Sequence, residues 1–154
     1  MVWTAITATG RSLLVIVLSG VKLNSERFIS DILEAELLPL ARKHLDGAPR
    51  TFQQDSASSH GSNLTRTWIT THIPSFLSKN KWPSRSPDLI QLDFSVFSIL
   101  ESRVCRTHHD SLEKLKIDLQ REWGLIPQEM LRATCEAFES NLKSVIKNGG
   151  SHIE

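Results

Sequence analysis

The sequence predicts a mixed α/β domain, and three observations predict it. β-Branched and aromatic residues crowd the first eighteen positions, the middle mixes short extended runs with a helix, and the last third repeats apolar residues at helical spacing. Strands first and helices last describe helix layered on sheet, with a helical C-terminal tail. At 154 residues the chain is about one domain long. No repeat, low-complexity tract or clear internal boundary divides it, so residues 1–154 read as a single domain.

Taken in order, Met1 to Ile6 is strand-like, Thr9 to Ser12 supplies turn residues, and Leu13 to Leu18 is a second strand. The pair predicts an antiparallel hairpin. Asn24 or Ser25 caps a helix expected to reach about His44, with Phe28, Ile29, Ile32, Leu33, Leu37 and Leu40 on its buried face. Pro39 inside that pattern should kink the helix or end its regular part. After a Gly47-Ala48-Pro49 turn, Arg50 to Gln54 is extended and leads into Asp55. A helix from about Asn63 to His72, a short strand from Ile73 to Leu77 and a loop over 79–91 follow. Three helices close the chain, marked by Phe97, Leu100 and Val104, by Leu112, Leu115 and Leu119, and by Leu131, Cys135, Phe138, Leu142 and Val145. The last fades at Gly149-Gly150.

Composition excludes more than it proposes. A net charge of +1 gives no global electrostatic argument for nucleic acid, so such a partner has to come from motifs. The longest apolar run, Leu13 to Leu18, is far too short to span a bilayer and lacks the flanks of a signal peptide, so no membrane partner is expected. Cys105 and Cys135 lack paired spacing and read as reduced thiols of an intracellular protein. A zinc site from Cys105, His108, His109 and Cys135 is the weaker alternative.

Two acids stand out by position. Asp55 ends a predicted strand, Asp93 begins a predicted helix, and 37 residues separate them. Facing carboxylates of this kind suit two hard divalent ions, Mg²⁺ or Mn²⁺, which activate an attacking oxygen and stabilise a leaving one. Strand ends and helix starts are also where aspartates act as caps, so spacing alone leaves a purely structural role open.

The surrounding words carry further. Gln53-Gln54-Asp55-Ser56-Ala57-Ser58-Ser59-His60 resembles the QQDNAPxH segment of the mariner superfamily of DNA transposases, in the branch with two aspartates separated by 37 residues. The run from Trp82 through Ser86-Pro87-Asp88-Leu89-Ile90-Gln91-Leu92-Asp93 is similar to its WPPxSPDLNPxD segment. Ser95 to Glu101, Leu119 to Trp123, Ile126-Pro127 and Gly149-Gly150 are similar too, so the likeness covers nearly the whole chain. It implies a ribonuclease-H-like mixed sheet flanked by helices, and cutting and joining of DNA by metal-activated water or a 3′-hydroxyl. Asp55 and Asp93 would match the second and third catalytic, metal-binding acids; Asp88 would structure its loop. Transposon-end DNA, Mg²⁺ or Mn²⁺, a homodimer and a nuclear location are what the resemblance further implies.

The pattern also breaks. The family's first acid lies on a first strand upstream of the hairpin, and here no Asp or Glu occurs before Glu26, which falls in a helix. The expectation is therefore a truncated catalytic domain lacking its first strand and its N-terminal helix-turn-helix modules. Losing ~4 kcal/mol of transition-state stabilisation costs about a thousandfold in rate, so no strand cleavage by this chain alone is expected. The family's Asn and Pro after the second acid are Ser56 and Ser58 here. Its Asn-Pro before the third acid is Ile90-Gln91, and the second proline of WPP is Ser84. The alternative is a non-catalytic, domesticated module that binds DNA or protein.

Other residues read more plainly. His60 is solvated or capping, with metal or phosphate contact as the minority role. Ser59-His60 lacks a nucleophile elbow and the geometry of a triad. Arg103 and Arg106 suit a solvated helix face, or DNA backbone. Glu101, two helical turns beyond Asp93, suits a surface ion pair or support of the site. Trp68, Trp82 and Trp123 are core or loop anchors before they are stacking platforms.

Overall fold

The structure, a computed structural model, describes residues 1–18, 20–45, 51–54, 61–73, 75–77 and 89–149. They fall into two compact units, one of residues 1–5 and 11–85, the other of residues 6–10 and 86–154.

In the first unit β1 (Val2–Trp3) pairs antiparallel with β4 (Val15–Ile16), Val2 opposite Ile16 and Trp3 opposite Val15. This is the expected hairpin, with a bend that periodicity does not show. The Ser12 N–H donates to the Ala5 carbonyl at 2.9 Å, one residue out of step with that register. Leu13 is thereby the extra residue of a bulge. Its N–H donates to Glu36 Oε2 at 3.2 Å, and its side chain is exposed. Beneath it the buried Thr4 and Ser12 hydroxyls meet at 3.1 Å, and Ser12 Oγ accepts the Ala5 N–H. Buried polar groups need such partners. Short strands β2 (Ile6–Thr7) and β3 (Gly10–Arg11) continue toward the hairpin tip.

A helical run then extends from Ser25 to His44. Asn24 caps it, its Oδ1 accepting the Arg27 N–H at 2.9 Å. The run is regular only at its ends: α1 (Ser25–Phe28) and α2 (Leu38–His44) flank a π-helical stretch, π1 (Ile29–Leu37). The expectation at Pro39 needs correcting. Regularity is lost before the proline, and Pro39 sits in the first turn of α2, where a missing N–H is tolerated. The Leu38 N–H reaches back to the Leu33 carbonyl, the wide turn that precedes it.

Phe28, Ile32, Leu33 and Leu37 from this run bury against Ile69 and Ile73. Ile69 belongs to α3 (Asn63–His72), which Ser62 caps by accepting the Thr65 N–H at 3.1 Å. Trp3, Val15, Phe52 and Phe76 pack on the same cluster. Each fully buried member contributes about 1.5–3 kcal/mol. Phe52 bridges Phe76 in parallel, with the Phe52 N–H donating to the Ser75 carbonyl and the Leu77 N–H to the Phe52 carbonyl. Pairing is antiparallel in the hairpin and parallel at this bridge, in small separate pieces rather than the one mixed sheet expected. Among the described residues no ladder joins the hairpin to the Phe52–Phe76 pair.

The second unit is helical apart from the hairpin tip. A second π-helical turn, π2 (Leu92–Val96), runs into α4 (Phe97–Val104), followed by α5 (Leu112–Gly124), α6 (Gln128–Glu136) and α7 (Phe138–Lys147). The expected final helix is thus two helices, parted at Ala137, while the apolar stripe through Leu131, Cys135, Phe138, Leu142 and Val145 continues across the break. Leu112, expected on the buried face of α5, is 70% exposed; Asp118 and Trp123 bury instead. Asp118 is accommodated because His109 Nε2 lies 3.1 Å from one carboxylate oxygen and Arg121 2.7 Å from the other. Gln128 Nε2 donates to the Thr7 and Ala8 carbonyls, tying the hairpin tip to α6. No described helix is long and apolar enough to cross a membrane.

Candidate functional site

Asp93 is exposed in the first turn of π2. At regular helical spacing residues three and seven apart share a face, which would draw Asp93 toward the stripe of Val96 and Leu100. Those two are 0% and 3% exposed. The wide turn, closed by the Phe97 N–H on the Leu92 carbonyl, rotates Asp93 off that stripe. Leu89, fully buried just upstream, pins the start of the segment.

Hydroxyls brace the same turn. Ser95 Oγ donates to the Gln91 carbonyl at 3.2 Å, a back-bond that bends helices. Ser95 Oγ also lies 3.4 Å from Thr134 Oγ1 of α6, whose hydroxyl donates to the Met130 carbonyl at 2.9 Å. Gln91 Nε2 is buried and makes no hydrogen bond among the described residues. Sequence reasoning missed these three residues. A serine two positions from an acid is a weak signal, and the Thr134 contact spans 39 residues of chain.

The other predicted positions divide cleanly. Asp55, His60, Trp82 and Asp88 lie outside the described residues, so the pairing of Asp55 with Asp93 is not described. Glu101 is exposed on α4, with π2 altering its phase relative to Asp93. Arg103 donates to the Leu125 carbonyl at 3.4 Å, and Arg106 is exposed just beyond the helix. Trp68 donates to Glu34 Oε1 at 3.0 Å and stacks on His72 with centroids 4.3 Å apart, while Trp123 is buried. Of the cysteines, Cys105 is exposed; burial, helped by Glu136, pushes the Cys135 thiol above its ordinary range. No group of three or more His, Cys, Asp or Glu among the described residues is placed to hold a metal ion. Asp93 is an exposed residue whose carboxylate oxygens are of the hard kind that Mg²⁺ or Mn²⁺ prefers.

No protein-family profile matches the chain. Its sequence is 31% identical over 155 residues to the Transposable element Tc3 transposase of Caenorhabditis elegans, covering 99% of this chain and 45% of that protein. The chain thus spans less than half the length of the curated relative it matches. Among solved structures it is similar to the catalytic domain of Mos1 mariner transposase, with TM-score 0.84 and 17% identity over 98% of this chain and 74% of that one. The Mos1 catalytic domain with raltegravir and Mg gives TM-score 0.83 and 17% identity, over 98% and 75% of the two chains. The Mos1 mariner paired end complex with Mn gives 0.80 and 18%, over 96% and 43%. At such identities the structural likeness carries the fold, which is mixed α/β of the ribonuclease-H-like kind. Sequence and fold point the same way: the chain is similar to part of the Tc3 transposase and shares the fold of the Mos1 mariner transposase catalytic domain.

Proposed function

We propose that the chain serves metal-dependent cleavage and joining of DNA at transposon ends, with Asp55 and Asp93 as carboxylate ligands. The observation that carries this is the alignment with the Tc3 transposase along nearly the entire chain. The Mos1 structures with Mg and with a paired end complex and Mn support the ion class and the DNA partner. A bound Mg²⁺ or Mn²⁺ supplies Lewis-acid activation of oxygen. What the chain itself contributes is orientation: π2 turns the Asp93 carboxylate outward while Val96 and Leu100 anchor its base.

A polypeptide of these 154 residues holds no carboxylate in positions 1–25, so the family's first acid has no counterpart within it. On its own it binds Mn²⁺ weakly and does not cut. Nuclear location and pairing with a second copy belong to the same reading. The test is Mn²⁺ titration followed by nicking of supercoiled plasmid. Loss of Mn²⁺ binding in Asp55→Asn and Asp93→Asn, without nicking by the parent chain, supports it. Nicking that Asp93→Ala abolishes would overturn inactivity; Mn²⁺ binding indifferent to both acids would overturn the site, leaving the non-catalytic binding module.

A further inference from the structure

We propose that Ser95 and Thr134 are positioning residues for Asp93, a hydroxyl pair through which α6 holds the wide turn that points the acid outward. The inference deepens the reading of Asp93 as a metal ligand and rests on it.

Three contacts are made by two hydroxyls: Ser95 to the Gln91 carbonyl, Ser95 to Thr134, and Thr134 to the Met130 carbonyl. Two hydroxyl hydrogens cannot serve three contacts at once. With Thr134 donating to Met130 and Ser95 to Gln91, no hydrogen lies between the two oxygens, and the 3.4 Å approach is not a bond. With Thr134 donating to Ser95, the Ser95 hydroxyl is polarised and its bond to Gln91 strengthens. In both arrangements Ser95 caps the Gln91 carbonyl, a back-bond that favours the bend already present in π2.

α6 supplies the rigid side of this contact. Leu131 is fully buried on it, one turn before Thr134, and Gln128 fixes its first turn to the hairpin tip. Without the hydroxyls, the segment relaxes toward a regular helix. Asp93 then swings toward the Val96–Leu100 stripe, where its carboxylate meets carbon rather than cation.

The experiment uses the full 154-residue chain, with Mn²⁺ as probe, in Ser95→Ala, Thr134→Val and Thr134→Ser. Ser95→Ala and Thr134→Val are expected to weaken Mn²⁺ binding about threefold to tenfold, the range a lost side-chain hydrogen bond gives. Thr134→Ser restores it. A metal-free readout runs alongside: backbone ¹³Cα and amide shifts of residues 92–97 move toward a regular helical pattern in the first two variants and not in the third. Two variants on different helices keep the test standing if one fails to fold. Unchanged shifts in both would overturn the proposal. So would unchanged Mn²⁺ affinity in both while Asp93→Asn abolishes binding, an outcome that leaves the metal-ligand reading intact. Mn²⁺ binding indifferent to Asp93→Asn sinks that reading instead.

Discussion

Among the described residues two wide helical turns occur, and they do opposite work. π1 lies in the first unit, ends just before Pro39, and turns Ile32, Leu33 and Leu37 into the core. π2 lies in the second unit, is braced by serine and threonine hydroxyls, and turns Asp93 out to solvent. The same departure from regular geometry serves packing in one place and presentation of a carboxylate in the other. A wide turn alone therefore does not mark a site. Its meaning is set by what it rotates and which groups stabilise it.

The sharpest way to break this comparison is to truncate one residue in each turn. Ile32→Ala should cost about 2–5 kcal/mol of stability by urea unfolding, because it opens a cavity in a closed cluster. Asp93→Ala should shift the same midpoint by clearly less than Ile32→Ala, because no buried side-chain volume is lost at an exposed position. A comparable loss at Asp93 would mean that π2 is structural too. Next in size is Asp118→Ala, which strands half-buried His109 and should cost about 1–3 kcal/mol in the second unit. An unchanged midpoint would show that the second unit does not depend on its polar ties.

Gln91→Pro sharpens the comparison in the stabilising direction. The Gln91 φ of −57° already suits proline, and the change removes a buried amide nitrogen without a hydrogen bond among the described residues. A gain of about 0.4–1 kcal/mol is expected from the stiffer unfolded chain, read as a raised Tm. A lowered Tm would mean that the Gln91 N–H or side chain is needed at the start of π2.

The smallest effect lies on α7. A hydrogen bond and the charge of Lys143 hold the Glu139 carboxyl below the ordinary glutamate range. Its pKa is lower folded than unfolded, so its stabilising contribution is present above the unfolded value and fades as pH falls through the folded one. NMR titration should find a depressed midpoint that Lys143→Met restores; an unmoved midpoint refutes the pairing.

The sequence by itself determined the mixed fold, the hairpin, the cap at Asn24 and the helix it begins, the helix from Asn63, and Asp93 at a helix start. These rest on local rules of period, capping and turn chemistry that act within a few residues. Tertiary structure decided the Leu13 bulge, the burial of Asp118 in place of Leu112, both wide turns, and the brace from Thr134 to Ser95. Two of these depend on a partner far along the chain: Glu36 for Leu13, α6 for Ser95. Such contacts leave no periodic trace, because one hydrogen bond across 39 residues changes no pattern that a window of neighbours can hold.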